Sequence, residues 1–264
     1  MKENTLPRHS PKPKASDPRP FIWDRLGQRG GEAAAITVDR IVRVAMELAD
    51  REGLDTISMR RIASELGSGV MSLYHYVPSK DDLLDLLLDA AIGEVEIPKE
   101  PSGDWRGDLR TVAARTRACL KHHVWLAGLL NRRPALGPHR FAQFEFALSA
   151  VSGLGLDFQA MRRMVGSLYV YILGFVALEL SEGQALRRAV FRDMPAPYVK
   201  KLMATGRFPN VARLLSEDRL APPGDEAFED GLDLVLEGMT ARLKAASPHG
   251  DREMRAQPTR ARRS

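Results

Sequence analysis

The stretch from residue 58 to residue 80, SMRRIASELGSGVMSLYHYVPSK, constrains the fold more than any other part of the chain. It begins with the 3.6-residue periodicity of an amphipathic helix. Gly67 ends this helix, a second helix begins near Gly69, and Pro78 blocks its continuation beyond Tyr76. Neither helix is long enough to be stable alone in water, so both must pack against neighbouring helices.

The spacing of Ala63, Gly67 and Leu73 is that of a helix-turn-helix. Ala63 is small where the next helix crosses closely, Gly67 permits a left-handed turn, and Leu73 anchors the second helix in the core. Three residues alone match this pattern in many proteins. Here they lie between helices with their own capping residues, Ser58 and Ser79, which strengthens the prediction.

The rest of the chain also has helical periodicity, and no stretch alternates as a strand would. The pattern predicts an all-α fold, with an N-terminal three-helix helix-turn-helix domain and a larger helical domain after it. DNA binding by the first, and effector binding and dimerisation by the second, are the roles we expect from the residues discussed below. The expected helices begin after Thr37, Ser58, about Gly69, Ser79, Asp104, near Val124, Pro138, Asp157 (to about Ser181) and at about Asp225 (to Ala246).

If the second helix of the motif enters the major groove of DNA, its polar rings and hydroxyls face phosphates and base edges. Arg60 can reach a guanine, and Ser58 lies at a helix N-terminus that favours a phosphate. Tyr74, Tyr76 and Lys80 can donate hydrogen bonds to the backbone. The candidate DNA-binding residues are Ser58, Arg60, Arg61, Gly69, Val70, Met71, Ser72, Tyr74, His75, Tyr76 and Lys80.

Residues 36–96 resemble the DNA-binding domain of the TetR family of transcriptional regulators. The likeness is carried by DRIVRVAMELADREGLDTIS and by MRRIASELGSGVMSLYHYVPSKDDLLDLLLD, which contains the family's Leu-Tyr pair and the lysine after the loop. Residues 104–246 are more loosely similar to the regulatory domain of the tetracycline-repressor branch. The resemblance implies DNA contacts from Arg60, Ser72, Tyr74, Tyr76 and Lys80, and a homodimer. Val70 and Met71 stand where tetracycline repressors often carry a polar residue, which implies a different operator.

The distribution of charge and the cysteine content indicate how the chain ends behave and where in the cell the protein is located. The net charge is +5, and residues 1–30 hold seven Lys or Arg against three Asp or Glu. A basic, proline-rich extension (1–34) and a basic tail (247–264), both expected to be largely disordered, therefore flank the predicted domains 35–96 and 97–246. The extension can reach a minor groove. A single cysteine, no export signal and an apolar run too short for a membrane favour a cytoplasmic protein without a membrane partner.

Two apolar stripes in the second domain predict a dimer. A helix-turn-helix that reads a palindrome needs a two-fold partner, so we expect two helices of each chain to form a four-helix bundle. The alternative is that the stripes close a core within one chain. The predicted interface residues are Met161, Val165, Leu168, Ile172, Phe175, Phe228, Leu232, Val235, Leu236, Met239 and Leu243.

A small-molecule pocket is expected between the helices at 104–121, 138–153 and 157–181. Methionine and aromatic side chains make adaptable apolar walls with a few polar ends. The candidate lining residues are His122, His123, Trp125, Phe141, Phe144, Met164, Tyr169 and Tyr171. The adjacent histidines diverge on a helix, so neither a metal site nor a cofactor is predicted.

These patterns favour a ligand-responsive transcriptional regulator. We expect a repressor that releases double-stranded operator DNA of palindromic sequence when an effector binds, and no catalytic residues, since no phosphate-binding loop, nucleophile elbow or metal-hydrolase motif is present in the sequence. The alternatives are an architectural DNA-binding protein that needs no effector and an adaptor that keeps the fold without binding DNA.

Overall fold

The computed structural model describes residues 22–26, 36–187, 201–216 and 224–246. Within these ranges the chain forms helices and no strands, which confirms the predicted all-α class. The helices are α1 (Ile22–Leu26), α2 (Val38–Glu52), α3 (Met59–Glu65), α4 (Val70–Tyr76), α5 (Lys80–Gly93), α6 (Trp105–His122), α7 (Val124–Leu130), α8 (Pro138–Ser152), α9 (Phe158–Arg187), α10 (Pro209–Ser216) and α11 (Asp225–Ala246), with a 3-10 turn at Leu54–Thr56.

Capping residues set the ends of the first large helices. The Thr37 hydroxyl accepts a hydrogen bond from the Arg40 amide at 3.2 Å, and the Ser79 hydroxyl accepts one from the Asp82 amide at 3.0 Å. Each satisfies an amide that has no partner inside its own helix. Helices α2 and α5 therefore begin where the sequence predicts.

The α3–α4 pair has the geometry of a helix-turn-helix. Gly67 has φ +62°, a left-handed conformation that a side chain would disfavour. Ala63 and Leu73 are fully buried, and α3 packs against both α2 and α4. The small residue, the turn glycine and the anchoring leucine thus occupy the roles that their spacing predicts.

Helix α1 lies within the extension that the sequence predicts to be largely disordered. Ile22 is buried in the core, and the Arg25 guanidinium forms an ion pair with Asp82 of α5 at 2.9 Å. These five residues are therefore ordered against the helix-turn-helix unit. The rest of the predicted extension, and the predicted tail 247–264, lie outside the described residues.

Helix α5 packs on two sides at once. It contacts α2 towards the N-terminal unit and α6, α7 and α8 towards the C-terminal helices. Its leucines supply more apolar surface than one helix face holds, as the sequence indicates. The buried residues of α5 are Leu83, Leu86, Leu87, Leu88, Asp89, Ala91 and Ile92.

Helix α9 is the central helix of the C-terminal part. It contacts α6, α7, α8 and α11, and the Arg117 guanidinium of α6 pairs with Glu179 at 2.7 Å. The helix reaches Arg187, beyond the predicted end near Ser181. Its stretch Phe158–Ser181 is long and apolar enough to cross a membrane by length and composition, but its contacts are those of a core helix.

Most residues of the stripes predicted to form a dimer interface are buried inside one chain, where α9 packs on α6, α7, α8 and α11. The Tyr171 hydroxyl of α9 donates to the Phe228 carbonyl of α11 at 2.6 Å, and the Phe175 and Phe228 rings lie 5.2 Å apart. The prediction of their location is therefore wrong for the buried members, because the same surface cannot also meet a second chain. The buried members are Val165, Leu168, Ile172, Phe228, Leu232, Leu236 and Met239, and the half-buried ones are Met161, Phe175, Val235 and Leu243.

Leu73→Ala should lower the free energy of unfolding by about 2–5 kcal/mol, because it leaves a cavity beneath α4. Urea unfolding followed by circular dichroism measures this change. Met71→Ala on the same helix is the control, since Met71 is 80% exposed and its truncation should change stability by less than about 0.5 kcal/mol. Equal losses in the two variants would contradict the assigned role of Leu73.

Candidate functional site

Helix α4 presents most of its surface to solvent. Leu73 is the buried side chain of this helix, whereas Met71 is 80% exposed and Tyr74 is 41% exposed. An exposed apolar side chain such as Met71 has no packing role in the chain, and it fits contact with a thymine methyl group. The remaining candidates Gly69, Ser72 and His75 are exposed, and Val70 and Tyr76 are half-buried.

The two arginines at the start of α3 differ in their surroundings. Arg60 is exposed, with no carboxylate within ion-pair distance among the described residues. Arg61 pairs with Glu52 and with Glu65, each at 3.1 Å, and these contacts hold it on the α2–α3 surface. Arg60 is therefore the arginine that is available to a base edge.

Two further groups flank α4. The Ser58 hydroxyl accepts a hydrogen bond from the Arg61 amide at 3.2 Å, so it caps α3 and remains exposed beside the helix N-terminus. Lys80 begins α5 and is exposed. Together with the phenol of Tyr74, these groups border α4 with hydrogen-bond donors, which is what a phosphate backbone requires.

A small enclosed cavity lies between α5, α6, α7, α8 and α9, in the region where the sequence predicts a pocket. Its volume is about 30 Å³, and it is lined mainly by apolar side chains. Of the eight predicted lining residues, Tyr169 lines it, and the Phe144 ring lies 6.3 Å from the Tyr169 ring. The polar members of the lining are Thr116, Cys119, Arg140, Gln143 and Tyr169.

The other predicted lining residues do not line this cavity, and their place in an effector pocket stays a prediction. Phe141 is 59% exposed, Met164 lies in a groove between α9 and α11, and Tyr171 packs on Phe228. His122, His123 and Trp125 lie at the junction of α2, α5 and α7. Aromatic content alone does not distinguish a pocket wall from a helix-packing surface, so the sequence does not show which of these residues share a cavity.

The residues that sequence analysis missed are polar ones on α6 and α8. The Arg140 guanidinium donates to the Gln143 side-chain oxygen at 2.7 Å, and the Gln143 amide donates to the Thr116 hydroxyl at 3.1 Å. Gln143 is buried within an otherwise apolar helix face. A glutamine and an arginine on the same face as Phe144 and Ala147 were the available signal, since buried polar groups need partners.

A buried histidine joins the N-terminal unit to the C-terminal helices. His123 is 2% exposed, and its Nδ1 lies 2.8 Å from Asp50 of α2 while its Nε2 lies 2.9 Å from Glu94 at the end of α5. The Trp125 indole donates to the same Asp50 oxygen at 2.6 Å. Both ring nitrogens thus face carboxylates, which is the arrangement of a protonated imidazole.

The ionic environment of His123 raises its pKa. Burial alone lowers the pKa of this imidazole, but hydrogen bonds to Asp50 and Glu94 and their negative charges outweigh burial and raise it overall. Ligand atoms of Asp50, His122 and His123 also lie within 4.8 Å of one another. Both His123 nitrogens are already bonded to carboxylates. We therefore interpret this cluster as a protonated histidine between two acids, and not as a metal site.

A second buried group, Asp89 of α5, holds the start of α8. Its carboxylate accepts hydrogen bonds from the backbone amides of His139 and Arg140 at 3.2 and 3.1 Å. An acceptor at a helix N-terminus satisfies amides that the helix leaves open. Gly137 is required here, because a Cβ atom would lie 2.1 Å from the Asp89 carboxyl carbon.

Two family models match the chain. Residues 41–87 match the model described as bacterial regulatory proteins, tetR family, and residues 97–243 match that of the tetracyclin repressor-like C-terminal domain. The HTH-type transcriptional repressor DrrR1 of Streptomyces coeruleorubidus is 38% identical over 227 residues, which is 83% of each protein. The tetracycline repressor protein class E of Escherichia coli is 25% identical over 213 residues, 80% of this chain and 93% of the repressor.

Solved structures with the same fold include ActR of Streptomyces coelicolor. Apo ActR superposes with a TM-score of 0.69 at 33% identity, covering 81% of this chain and 99% of ActR. ActR in complex with actinorhodin superposes with a TM-score of 0.67 at 32% identity, covering 80% and 99% of the two chains.

The His123 contacts should make stability depend on pH. A folded pKa above the unfolded value of about 6.5 means that the stabilisation is complete below that pH and is lost as the pH rises through the folded pKa. The free energy of unfolding of the wild type, measured by urea titration at several pH values, should therefore fall as the pH rises from about 6.5 through the folded pKa of His123.

His123→Gln should remove that fall, because glutamine does not titrate. His122→Gln is the matched control, since the neighbouring His122 is exposed. An unchanged pH dependence in His123→Gln would show that another group is responsible.

Proposed function

The chain belongs to the TetR family of transcriptional regulators, and from that membership we propose that it acts as a homodimeric repressor that releases a palindromic operator when a small molecule binds. It is a DNA-binding regulator with an N-terminal helix-turn-helix. We propose no enzymatic activity for it, and a cytoplasmic location, where operator DNA is accessible.

The observation that carries the proposal is the exposed surface of α4. One leucine anchors this helix, while Met71, Ser72 and Tyr74 project away from the core. Arg60 and Lys80 add positive charge at its two sides. Base contacts from Arg60, Val70, Met71 and Ser72, and phosphate contacts from Ser58, Tyr74, His75, Tyr76 and Lys80, are the proposed division of roles.

We propose the division of the chain that the sequence predicts. Residues 35–96 form the DNA-binding domain and residues 97–246 the effector-binding and dimerisation domain. The matches at 41–87 and 97–243 support these limits. Residues 1–34 and 247–264 are the proposed basic extensions.

The dimer interface is proposed on the outer face of α9 and α11, next to the stripes that pack inside the chain. Val170 is 72% exposed and Leu234 is 71% exposed, and Leu178 continues the same face of α9. A Cβ atom built at Gly174 or at Gly238 would meet nothing within 4 Å, so a second chain can approach the backbone closely. Large exposed apolar residues along two adjacent helices are typical of an interface.

Effector control is proposed to act through α5. This helix follows the helix-turn-helix directly, and Ile92 near its end lines the enclosed cavity. Asp89 ties it to the start of α8, which carries the cavity residues Arg140 and Gln143. A ligand that moves α8 therefore moves α5, and with it the spacing of two α4 helices that must match half-sites about 34–36 Å apart. ActR, a relative, has been solved with a small molecule bound, which supports effector binding here.

Selection of bound duplexes from a random library by the purified full-length protein, at near-physiological salt, tests the function. A palindromic consensus is the expected result. Salt-sensitive binding without enrichment would favour an architectural DNA-binding protein, and no binding at all would favour an adaptor. Either result would overturn the proposal.

Arg60→Ala should weaken binding to the selected operator by about 1–3 kcal/mol and relax one base position, because its guanidinium loses a base edge. Lys80→Ala should weaken binding to all sequences alike. It should also reduce the slope of log binding constant against log salt concentration by about one. Fluorescence anisotropy on operator and scrambled duplexes at several salt concentrations separates these effects.

Arg61→Ala is the matched control for Arg60→Ala. Since Arg61 is held by Glu52 and Glu65, its loss should change the base preference less than that of its neighbour. An equal loss on operator and scrambled DNA for Arg60→Ala would contradict its role in base recognition.

Leu234→Glu should dissociate the dimer, because it places a charge at the centre of the proposed interface. Light scattering after size exclusion should give the mass of one chain, and operator affinity should fall with it. Val124→Glu is the control, since Val124 is 46% exposed on α7, away from this face. A dimer that survives Leu234→Glu would rule out this surface.

A further inference from the structure

The enclosed cavity contains a buried polar group that lacks a partner. Tyr169 is 5% exposed, and its hydroxyl proton has no acceptor among the described residues, since the neighbouring Arg140 guanidinium can only donate to it. Burial raises the pKa of Tyr169 to about 12, so the phenol keeps its proton at neutral pH. A buried hydroxyl that is protonated and unpaired is unfavourable unless something else binds it.

The nearest charged group cannot accept that proton. The Arg140 guanidinium lies 4.0 Å from the centre of the Tyr169 ring, over its face. A guanidinium has N–H donors and no acceptor, so Arg140 leaves the Tyr169 hydroxyl proton unpaired whatever its exact orientation. The two side chains thus bring donors to the same wall of the cavity.

Two side-chain acceptors of the wall each already accept one hydrogen bond from a neighbouring side chain. The Gln143 side-chain oxygen accepts from Arg140, and the Thr116 hydroxyl oxygen accepts from Gln143. The Cys119 thiol donates to the Ala91 carbonyl at 3.1 Å, which ties it to α5. The Tyr169 hydroxyl is the polar group of this wall that is left without an acceptor for its proton.

Arg140 is also uncompensated in charge. No carboxylate of the described residues lies within ion-pair distance of its guanidinium, whereas the partly buried Arg117 and Arg133 each pair with acids. Asp89 accepts from the Arg140 backbone amide and leaves the side chain free of an acid. An unpaired guanidinium beside a buried phenol forms a site for a negatively charged oxygen.

The remaining side chains of the cavity wall determine which kind of molecule can carry that negatively charged oxygen. Ile92, Leu120, Leu126 and Leu173 line the cavity, so the body of a ligand must be apolar. The present volume of about 30 Å³ holds little more than water, and a ligand must therefore displace Arg140 from the ring of Tyr169. Since α8 is bonded to α5 through Asp89, that displacement is transmitted towards the helix-turn-helix.

We propose that the effector is an apolar organic acid, whose ionised carboxylate or phenolate oxygen binds the Tyr169 hydroxyl and the Arg140 guanidinium. This assignment rests on the proposed function, in which the cavity is the effector site.

Matched pairs of acids and their neutral methyl derivatives test the assignment. The probes are 2-naphthoate with methyl 2-naphthoate, and 2,4-dinitrophenol, which is ionised at neutral pH, with 2,4-dinitroanisole, titrated into the full-length protein by calorimetry. The wild type should bind at least one acid more tightly than its methylated partner by about tenfold or more, in keeping with one charge-assisted hydrogen bond. Equal affinities within both pairs, or no binding of either acid at millimolar concentration, would overturn the proposal.

Three variants at two cavity residues test whether the acid binds in the cavity. Tyr169→Phe and Arg140→Gln should each reduce the ratio of acid to ester affinity, and Arg140→Lys should retain part of it because the charge remains. Arg132→Gln, at an exposed arginine after α7, is the control and should leave the ratio unchanged. A ratio that is unaffected by Tyr169→Phe and by Arg140→Gln would place the acid elsewhere and contradict the assignment.

Stability without ligand gives a second, independent result. Tyr169→Phe removes a hydroxyl whose proton has no acceptor, so it should unfold at the same or a higher urea concentration than the wild type. A clear loss of stability would show that the hydroxyl is already bonded within the chain, and would overturn the proposal.

Operator binding separates this inference from the proposed function. A protein that selects a palindrome but shows no preference for acids retains its proposed regulatory role and loses this effector assignment. A protein that selects no DNA loses the proposed role, whatever the acids do.

Discussion

Helix α5 packs against the helix-turn-helix unit and against the C-terminal helices at the same time, and the remaining structure depends on that constraint. Its leucines complete the N-terminal helix-turn-helix unit against α2, while its other side packs on α6, α7 and α8. A helix with apolar residues on two sides cannot end a small domain with one of those sides in solvent. The C-terminal helices therefore must cover it, and the DNA-binding unit and the cavity share one rigid element.

Polar contacts fix how the two parts meet. Asp89 receives the first amides of α8, and His123 lies between Asp50 of α2 and Glu94 at the end of α5. Apolar packing is not directional and tolerates small shifts, whereas buried charges need their partners in place. These contacts give the junction defined geometry, and a ligand that disturbs α8 has a short path to the helix-turn-helix.

Local patterns predicted most of the helices. Caps at Thr37, Ser58 and Ser79, the left-handed turn at Gly67 and the anchor at Leu73 act within a few residues of themselves, so their sequence spacing suffices. The residues that line the cavity could not be predicted from local patterns in the same way. Tyr171 and Tyr169 look equivalent in sequence, but the first packs on Phe228 of α11 and the second faces Arg140 of α8.

The sequence by itself determined the fold class and the helix-turn-helix, because both depend on periodicity, capping and turn chemistry over short distances. Only the tertiary structure decided which apolar stripe closes the core, and it placed those of α9 and α11 against each other within one chain. It also brought Arg140, Gln143 and Thr116 to one wall and left the Tyr169 hydroxyl without an acceptor. Such pairings join residues far apart in the chain, and a helix pattern specifies which face is buried without specifying what covers it.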